Sequence, residues 1–268
     1  MSFAGIYFYI SAVLALAFSY TRGETVGMTV LIALIAFVAL YIALTLITWL
    51  FIIFVAFIAR KAPKNGKVSA FHGFLINCAL ATITTYSRIK IKVKGKEKLP
   101  LDPCLIVANH RSNFDNFIIS TVIKNPQLVF ISKPENFKIP IVGRMIRRCG
   151  YIPIDRENPK EALRAINRSA ELIREAGASV GVFPEGTRGS GEGVAEFSEG
   201  CFLIAKKAGC PVVVAVLHGT EKIHKRFPFT TTVTLEFIEV IDPDEVKAKR
   251  SGELSEIAHT LIKDRLQG

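Results

Sequence analysis

The chain has 268 residues and a net charge of +11, yet residues 1–59 contain a single charged pair, Arg22 and Glu24. The excess positive charge therefore lies wholly on residues 60–268. Five cysteines, an odd number with no C-x-x-C pair, argue against a disulfide framework or a zinc site and for a reducing compartment.

Two apolar runs fill the first part, Ser2 to Tyr20 and Thr29 to Ala59. As helices they would be ~28 Å and ~46 Å long, against a hydrocarbon core of ~30 Å. The sequence thus predicts a membrane helical hairpin over residues 1–60, with the longer arm tilted, bent or continued along the surface. No Lys or Arg precedes Arg22, which disfavours a cleaved signal peptide. Arg60, Lys61, Lys64 and Lys67 follow the second run. By the positive-inside rule they place the rest of the chain on the cytoplasmic face of the cell membrane.

Residues 61–87 read as an interfacial linker helix, amphipathic through Phe71, Phe74, Leu75, Cys78, Ala79, Thr82 and Ile83, lying on the membrane surface or on the domain. "RIKIKVK" follows, with Arg88, Lys90, Lys92 and Lys94 on one face and Ile89, Ile91 and Val93 on the other. That is a half-buried strand whose lysines either protect a sheet edge or attract anionic lipid or an acidic partner.

Over residues 88–268 apolar β-type runs alternate with helical patterns. The runs fall at 104–108, 127–132, 151–154, 179–183, 211–217 and 231–240. The helical patterns fall at 114–124, 138–148, 159–176, 197–208 and 253–266. This order predicts an α/β domain with a mostly parallel, twisted sheet flanked by helices, and a site at the carboxyl ends of its strands.

Three stretches sit at such ends. "ANHRSNFD" (108–115) puts His110 and Asp115 where a strand turns into a helix. Ser112-x-x-Asp115 also matches a helix-capping box, which by itself would make Asp115 a cap and His110 a loop residue. "GYIPIDR" (150–156) ends on Asp155 and Arg156, and "VFPEGTRGSGEG" (182–193) presents Glu185, Gly186, Thr187 and Arg188. A glycine there permits close approach, and an arginine fork suits a phosphate.

Together these stretches resemble the glycerolipid acyltransferase family, whose best-known members acylate lysophosphatidic acid. "NHRSNFD" looks like its H-x4-D block, "GYIPIDR" its second, "FPEGTR" its third and "CPVVVAV" (210–216) its weaker proline block. "SKPENFKIPIVGRMIRRCG" (132–150) is similar as well, so the likeness spans about residues 85–220 in the family's order. The chain departs from the family at Ser198 and Glu199, where a lysine is expected.

The resemblance implies a glycerol-3-phosphate acyltransferase-like fold and transfer of a fatty acyl group from acyl-CoA or acyl-acyl carrier protein. The acceptor would be the sn-2 hydroxyl of 1-acyl-sn-glycerol 3-phosphate, and the product phosphatidic acid for phospholipid biosynthesis. Another lysophospholipid, or glycerol 3-phosphate, is the alternative acceptor. His110 would be the general base and Asp115 the group that orients it. Glu185, Gly186, Thr187 and Arg188, with Arg156, would bind the glycerol phosphate head. Membrane lipids are implied as partners; no cofactor, metal or nucleic acid is. His218 and His224 lack metal-ligand spacing.

Two rival classes leave marks that can be checked. Gly177-Ala178-Ser179-Val180-Gly181 matches G-x-S-x-G, with Asp242 and His259 following in serine-hydrolase order. Here, however, a helical pattern precedes Ser179 and a strand follows it, the reverse of a nucleophile elbow, and Gly177 reads as a helix C-cap. A non-catalytic membrane lipid-binding protein would show a damaged His–Asp pair or "EGTR", and both are intact.

Overall fold

The computed structural model describes residues 3–20, 25–58, 69–125, 127–189 and 193–267. Helices α1 (Phe3–Tyr20) and α2 (Val26–Ile58) pack on each other as a hairpin. The buried residues of α1 are Ala4, Tyr7, Ser11, Ala15 and Ser19, a mostly small stripe at helical spacing that lets neighbouring backbones approach. Both helices are long and apolar enough to cross a membrane. Arg60, Lys61, Lys64, Lys67 and the turn residues 21–24 lie outside the described residues.

Helix α3 (Ala70–Tyr86) buries more than one face. Leu75, Cys78 and Thr82 are buried as the spacing predicts, but so are Gly73, Leu80 and Thr84, while Phe71 and Phe74 are exposed. The reason is that α3 is covered from two directions. It packs on α1 and also on α4 (Asp115–Ile123). The Phe3 amide donates to the Thr82 hydroxyl at 3.1 Å, and Asn77 Nδ2 donates to the Asn125 carbonyl at 3.1 Å. No single apolar stripe can serve both contacts.

The strands follow in the order β1 (Ile89–Lys94), β2 (Leu105–Ala108), β3 (Leu128–Ser132), β4 (Ile152–Pro153), β5 (Ser179–Val182), β6 (Val212–His218) and β7 (Thr231–Ile241). In the sheet their order is β1-β7-β6-β2-β5-β3-β4. The five strands from β6 to β4 are parallel; β7 runs antiparallel to β6, and β1 parallel to β7. The lysines of β1 therefore line an outer edge, one of the two roles their pattern allowed.

Helices α4 and α8 (Ile223–Arg226) lie on one face of the sheet. On the other lie α6 (Pro159–Ala176), α7 (Gly200–Ala208), α9 (Pro243–Ala248) and α10 (Ser251–Gln267). Alternate residues divide between the two cores: Leu105 and Val107 face the α6–α7 layer, Ile106 and Ala108 the α4 layer. With both faces covered, β2, β5 and most of β6 are buried throughout, which is why they read as unbroken apolar runs.

Local chemistry sets several element ends. Asn158 accepts from the Lys160 and Glu161 amides at the start of α6, Pro159 sits at its first position, and Gly177 closes it at φ +66. The helix expected over 138–148 is instead a 3-10 turn (Pro134–Lys138) and then α5 (Val142–Arg148). Pro140 is the cause, since the residue before a proline is pushed out of the helical region and Ile139 is extended.

Candidate active site

Strands β2 and β5 are neighbours, yet β2 leads into α4 on one face and β5 towards α7 on the other. Diverging connections open a crevice at the carboxyl ends of such strands, the usual place for a ligand in this architecture. His110 lies two residues past β2, and Phe183 to Arg188 lie just past β5.

Asn109 secures the first loop. It is buried, donates to the Leu217 carbonyl at 3.0 Å and accepts from the Leu217 amide at 2.8 Å, which ties the end of β2 to β6. Next, His110 Nδ1 meets Asp115 Oδ2 at 2.8 Å. The same oxygen accepts the Arg111 amide at 2.7 Å and the Ser112 amide at 2.8 Å. Asp115 is fully buried, whereas the His110 side chain keeps 22% exposure.

The capping pattern is met in part, since α4 begins at Asp115 and its N-cap, Phe114, carries no side-chain cap bond. The Asp115 carboxylate reaches back to the Ser112 amide as in a capping box, while Ser112 Oγ accepts from the Phe114 amide at 3.3 Å. An acceptor-only carboxylate receiving three N–H groups requires the imidazole proton on Nδ1. That leaves the Nε2 lone pair free to take a proton from an incoming hydroxyl.

Glu185 binds the two loops together. Its Oε1 accepts the His110 amide at 2.7 Å and its Oε2 accepts the Ala195 amide at 3.2 Å. The Gly189 amide donates to the His110 carbonyl at 3.0 Å, closing the contact from the other side. Both Glu185 oxygens are thus engaged by backbone, so its geometry is that of a brace under the histidine.

Gly186 has φ +79, and a Cβ there would collide with the guanidinium of Arg156. The second and third motif blocks therefore meet through this glycine. Arg156 is exposed by surface area yet close-packed on its inner side. That burial lowers its pKa from the usual value, opposed by the nearby Cys201 sulfur. Neither Arg156 nor Arg188 has a hydrogen bond or ion pair among the described residues. Thr187 and Arg188 are exposed at the crevice rim.

A stack of rings under His110 was not foreseen from the sequence. The Phe183 ring lies 4.3 Å from the imidazole at an interplanar angle of 17°, and Phe130 lies 6.0 Å from Phe183 at 11°. Gly181 makes room for it: a Cβ there would lie 2.4 Å from Phe130 Cε1. The only local sign is an aromatic residue between a strand end and Pro184.

Ser179 stands elsewhere. It is the first residue of β5, at the opposite end of the strand from Phe183, buried, with its Oγ accepting the Cys104 amide at 3.3 Å. Among the described residues no three His, Cys, Asp or Glu side chains are grouped to hold a metal.

Residues 90–218 match the family model described as Acyltransferase. The chain is 37% identical over 155 residues to a chloroplastic 1-acyl-sn-glycerol-3-phosphate acyltransferase, BAT2, of Brassica napus, covering 57% of this chain and 44% of that one. It is 28% identical over 216 residues to the 1-acyl-sn-glycerol-3-phosphate acyltransferase of Haemophilus influenzae, covering 72% of this chain and 90% of that one. The chain thus spans less than half the length of the plant and algal relatives it matches. Its fold is that of the crystal structure titled 1-acyl-sn-glycerophosphate (LPA) acyltransferase, PlsC, from Thermotoga maritima. The TM-score is 0.60 at 23% identity, over 97% of this chain and 96% of that one.

Proposed function

We propose that this chain, a member of the acyltransferase family, transfers a fatty acyl group from a thioester carrier to the sn-2 hydroxyl of 1-acyl-sn-glycerol 3-phosphate. One observation carries the reading: the 2.8 Å bond from His110 Nδ1 to Asp115 Oδ2, which leaves Nε2 as a base at the mouth of the crevice. The acceptor hydroxyl gives its proton to Nε2 as its oxygen attacks the thioester carbonyl. The imidazolium so formed is held by the Asp115 charge. Collapse of the tetrahedral intermediate breaks the C–S bond, and the proton on Nε2 passes to the departing thiolate. The products are phosphatidic acid and the free carrier thiol, with His110 again neutral.

Among the described residues, no serine or cysteine hydrogen-bonds the dyad histidine as an acyl-enzyme nucleophile would. The Ser112 hydroxyl is buried and engaged, and burial pushes the Cys201 thiol up to about 11. Donor and acceptor therefore bind together. Arg156 and Arg188 supply the cations for the head-group phosphate, over the Gly186 backbone. Glu185 serves that site from beneath, by fixing the loop. Either acyl-CoA or acyl-acyl carrier protein is the donor. Residues 1–60 form the membrane hairpin, 61–87 the linker and 88–268 the catalytic unit, on the cytoplasmic face.

The test uses the full chain in mixed micelles with a panel of lysolipids, glycerol 3-phosphate and both carriers, products being identified by mass. Phosphatidic acid formed from lysophosphatidic acid is the expected result; acylation of another acceptor alone would overturn it. In the same assay Arg188→Lys, which keeps the charge and loses the fork, should raise KM for lysophosphatidic acid about tenfold and leave the donor KM near its starting value. An unchanged acceptor KM would remove Arg188 from the phosphate site.

A further inference from the structure

The connection from β6 to β7 also lies at the crevice end of the sheet, and the chemistry proposed above makes no use of it. It contains α8, anchored by Ile223, which is buried in the α4-side core. The rest faces outward: Lys222, His224, Lys225 and Arg226 are exposed, and so are Phe227 at 62% and Phe229 at 73%. Isolated exposed apolar residues are ordinary, but two phenyl rings within three residues beside three cations form an amphipathic patch. Glu221 is the only acid between Gly219 and Thr230.

Two contacts fix where this patch sits. The Thr231 amide, two residues past Phe229, donates to the Arg88 carbonyl at 3.1 Å, which sets the loop against the end of α3. Tyr86, in the last turn of α3, shares a 2.9 Å hydroxyl–hydroxyl bond with Tyr41 near the middle of α2. No residue of α2 before Ile52 is buried. The patch thus lies where the free half of the apolar hairpin parts from the α/β unit, beside the exposed Lys90, Lys92 and Lys94 of β1. On its other side the His224 ring lies 5.2 Å from Phe114, the residue immediately before Asp115.

We propose that Lys222–Phe229 is an interfacial anchor for an anionic lipid bilayer. Phe227 and Phe229 enter the boundary between head groups and acyl chains, and Lys225 and Arg226 hold lipid phosphates. A purely acidic protein partner would be met by the cations but would leave the phenyl rings in water. A bilayer accounts for both, and it continues the apolar surface of α1 and α2. The anchor holds the crevice at the depth where a lysolipid carries its hydroxyl. This deepens the reading of α1 and α2 as membrane helices and rests on it.

The experiment uses the full chain reconstituted into phosphatidylcholine–phosphatidylglycerol vesicles, with and without brominated acyl chains. Trp49, the sole tryptophan, is first replaced in Trp49→Phe, and Phe229→Trp then puts an indole in the loop. A ring roughly 5–10 Å below the head groups should lose about half its emission or more to brominated chains and be shielded from aqueous iodide. An indole at 229 that stays iodide-accessible and unquenched, while Trp49 of the unmodified chain is quenched, overturns the anchor and leaves the membrane helices standing. If neither is quenched, both readings fall. As a second measure, Phe227→Ser with Phe229→Ser should lose about tenfold more turnover on vesicle-borne lysolipid than on a short-chain, monomeric one. Equal losses on the two substrates overturn the proposal. So does a Lys225→Gln, Arg226→Gln defect confined to the KM of an acyl-carrier-protein donor, which would assign the patch to a protein.

Discussion

Replacing His110 by alanine is expected to lower turnover by about 10³-fold or more, the scale lost when a positioned base is removed and nothing nearby can substitute. The fold should survive. The imidazole is partly exposed, and Asp115 Oδ2 keeps its two backbone donors, Arg111 and Ser112, when the ring is gone. The loop is also held by its main chain, through the His110 amide on Glu185 and the Gly189 amide on the His110 carbonyl. The prediction is a near-normal melting temperature with almost no product, measured by initial rates and product mass. A rate within tenfold of the unmodified chain would show that His110 is not the base.

Asp115→Asn should behave differently, because one Asp115 oxygen both holds the loop and meets the imidazole. Oδ2 receives three N–H groups, while Oδ1 is buried with no partner among the described residues. An amide oxygen in the Oδ2 place would put an NH₂ where Oδ1 now lies, an unmet donor costing about 1–3 kcal/mol. The opposite flip points NH₂ at the imidazole and at two backbone amides. It then orphans those amides and forces the imidazole proton onto Nε2, the wrong tautomer for a base. Either way melting should fall by several degrees, as expected for a loss of that size in a domain of about 200 residues. Turnover should fall by roughly 10²–10⁴, through the tautomer and the lost charge. Substrate affinity should change little. Asp115→Asn with unchanged melting and unchanged rate would mean that the carboxylate neither holds the loop nor orients the ring.

How much of this was legible in advance depends on how far apart the cooperating residues are. Features governed by neighbours in the chain could be read directly. The helix α6 announces itself by Asn158, Pro159 and Gly177, and the apolar character of α1 and α2 is plain from composition. The turn that brings His110 to Asp115 is contained in six residues, so its capping pattern and its dyad were both visible. Even Pro140, which splits the helix expected over 138–148, acts on the residue beside it.

What the tertiary structure alone decided concerns residues far apart in sequence. Hydrophobic periodicity tells that Leu105 and Val180 are buried, since burial is a property of each residue and its near neighbours. It does not tell that they pair, because any apolar strand can satisfy another, and the choice is made by packing the whole chain at once. Only the insertion of β5 between β2 and β3 brings Glu185 under the His110 amide, 75 residues away, and Phe183 against its ring. Glu185 therefore stood out in the sequence as a candidate phosphate contact, while its bonds to the His110 and Ala195 amides were not legible there. The same limit applied to α3, whose burial on two sides no single-face pattern could encode. The His110–Asp115 pair thus lay within one turn of chain, whereas its support came from strands that meet only when the sheet is complete.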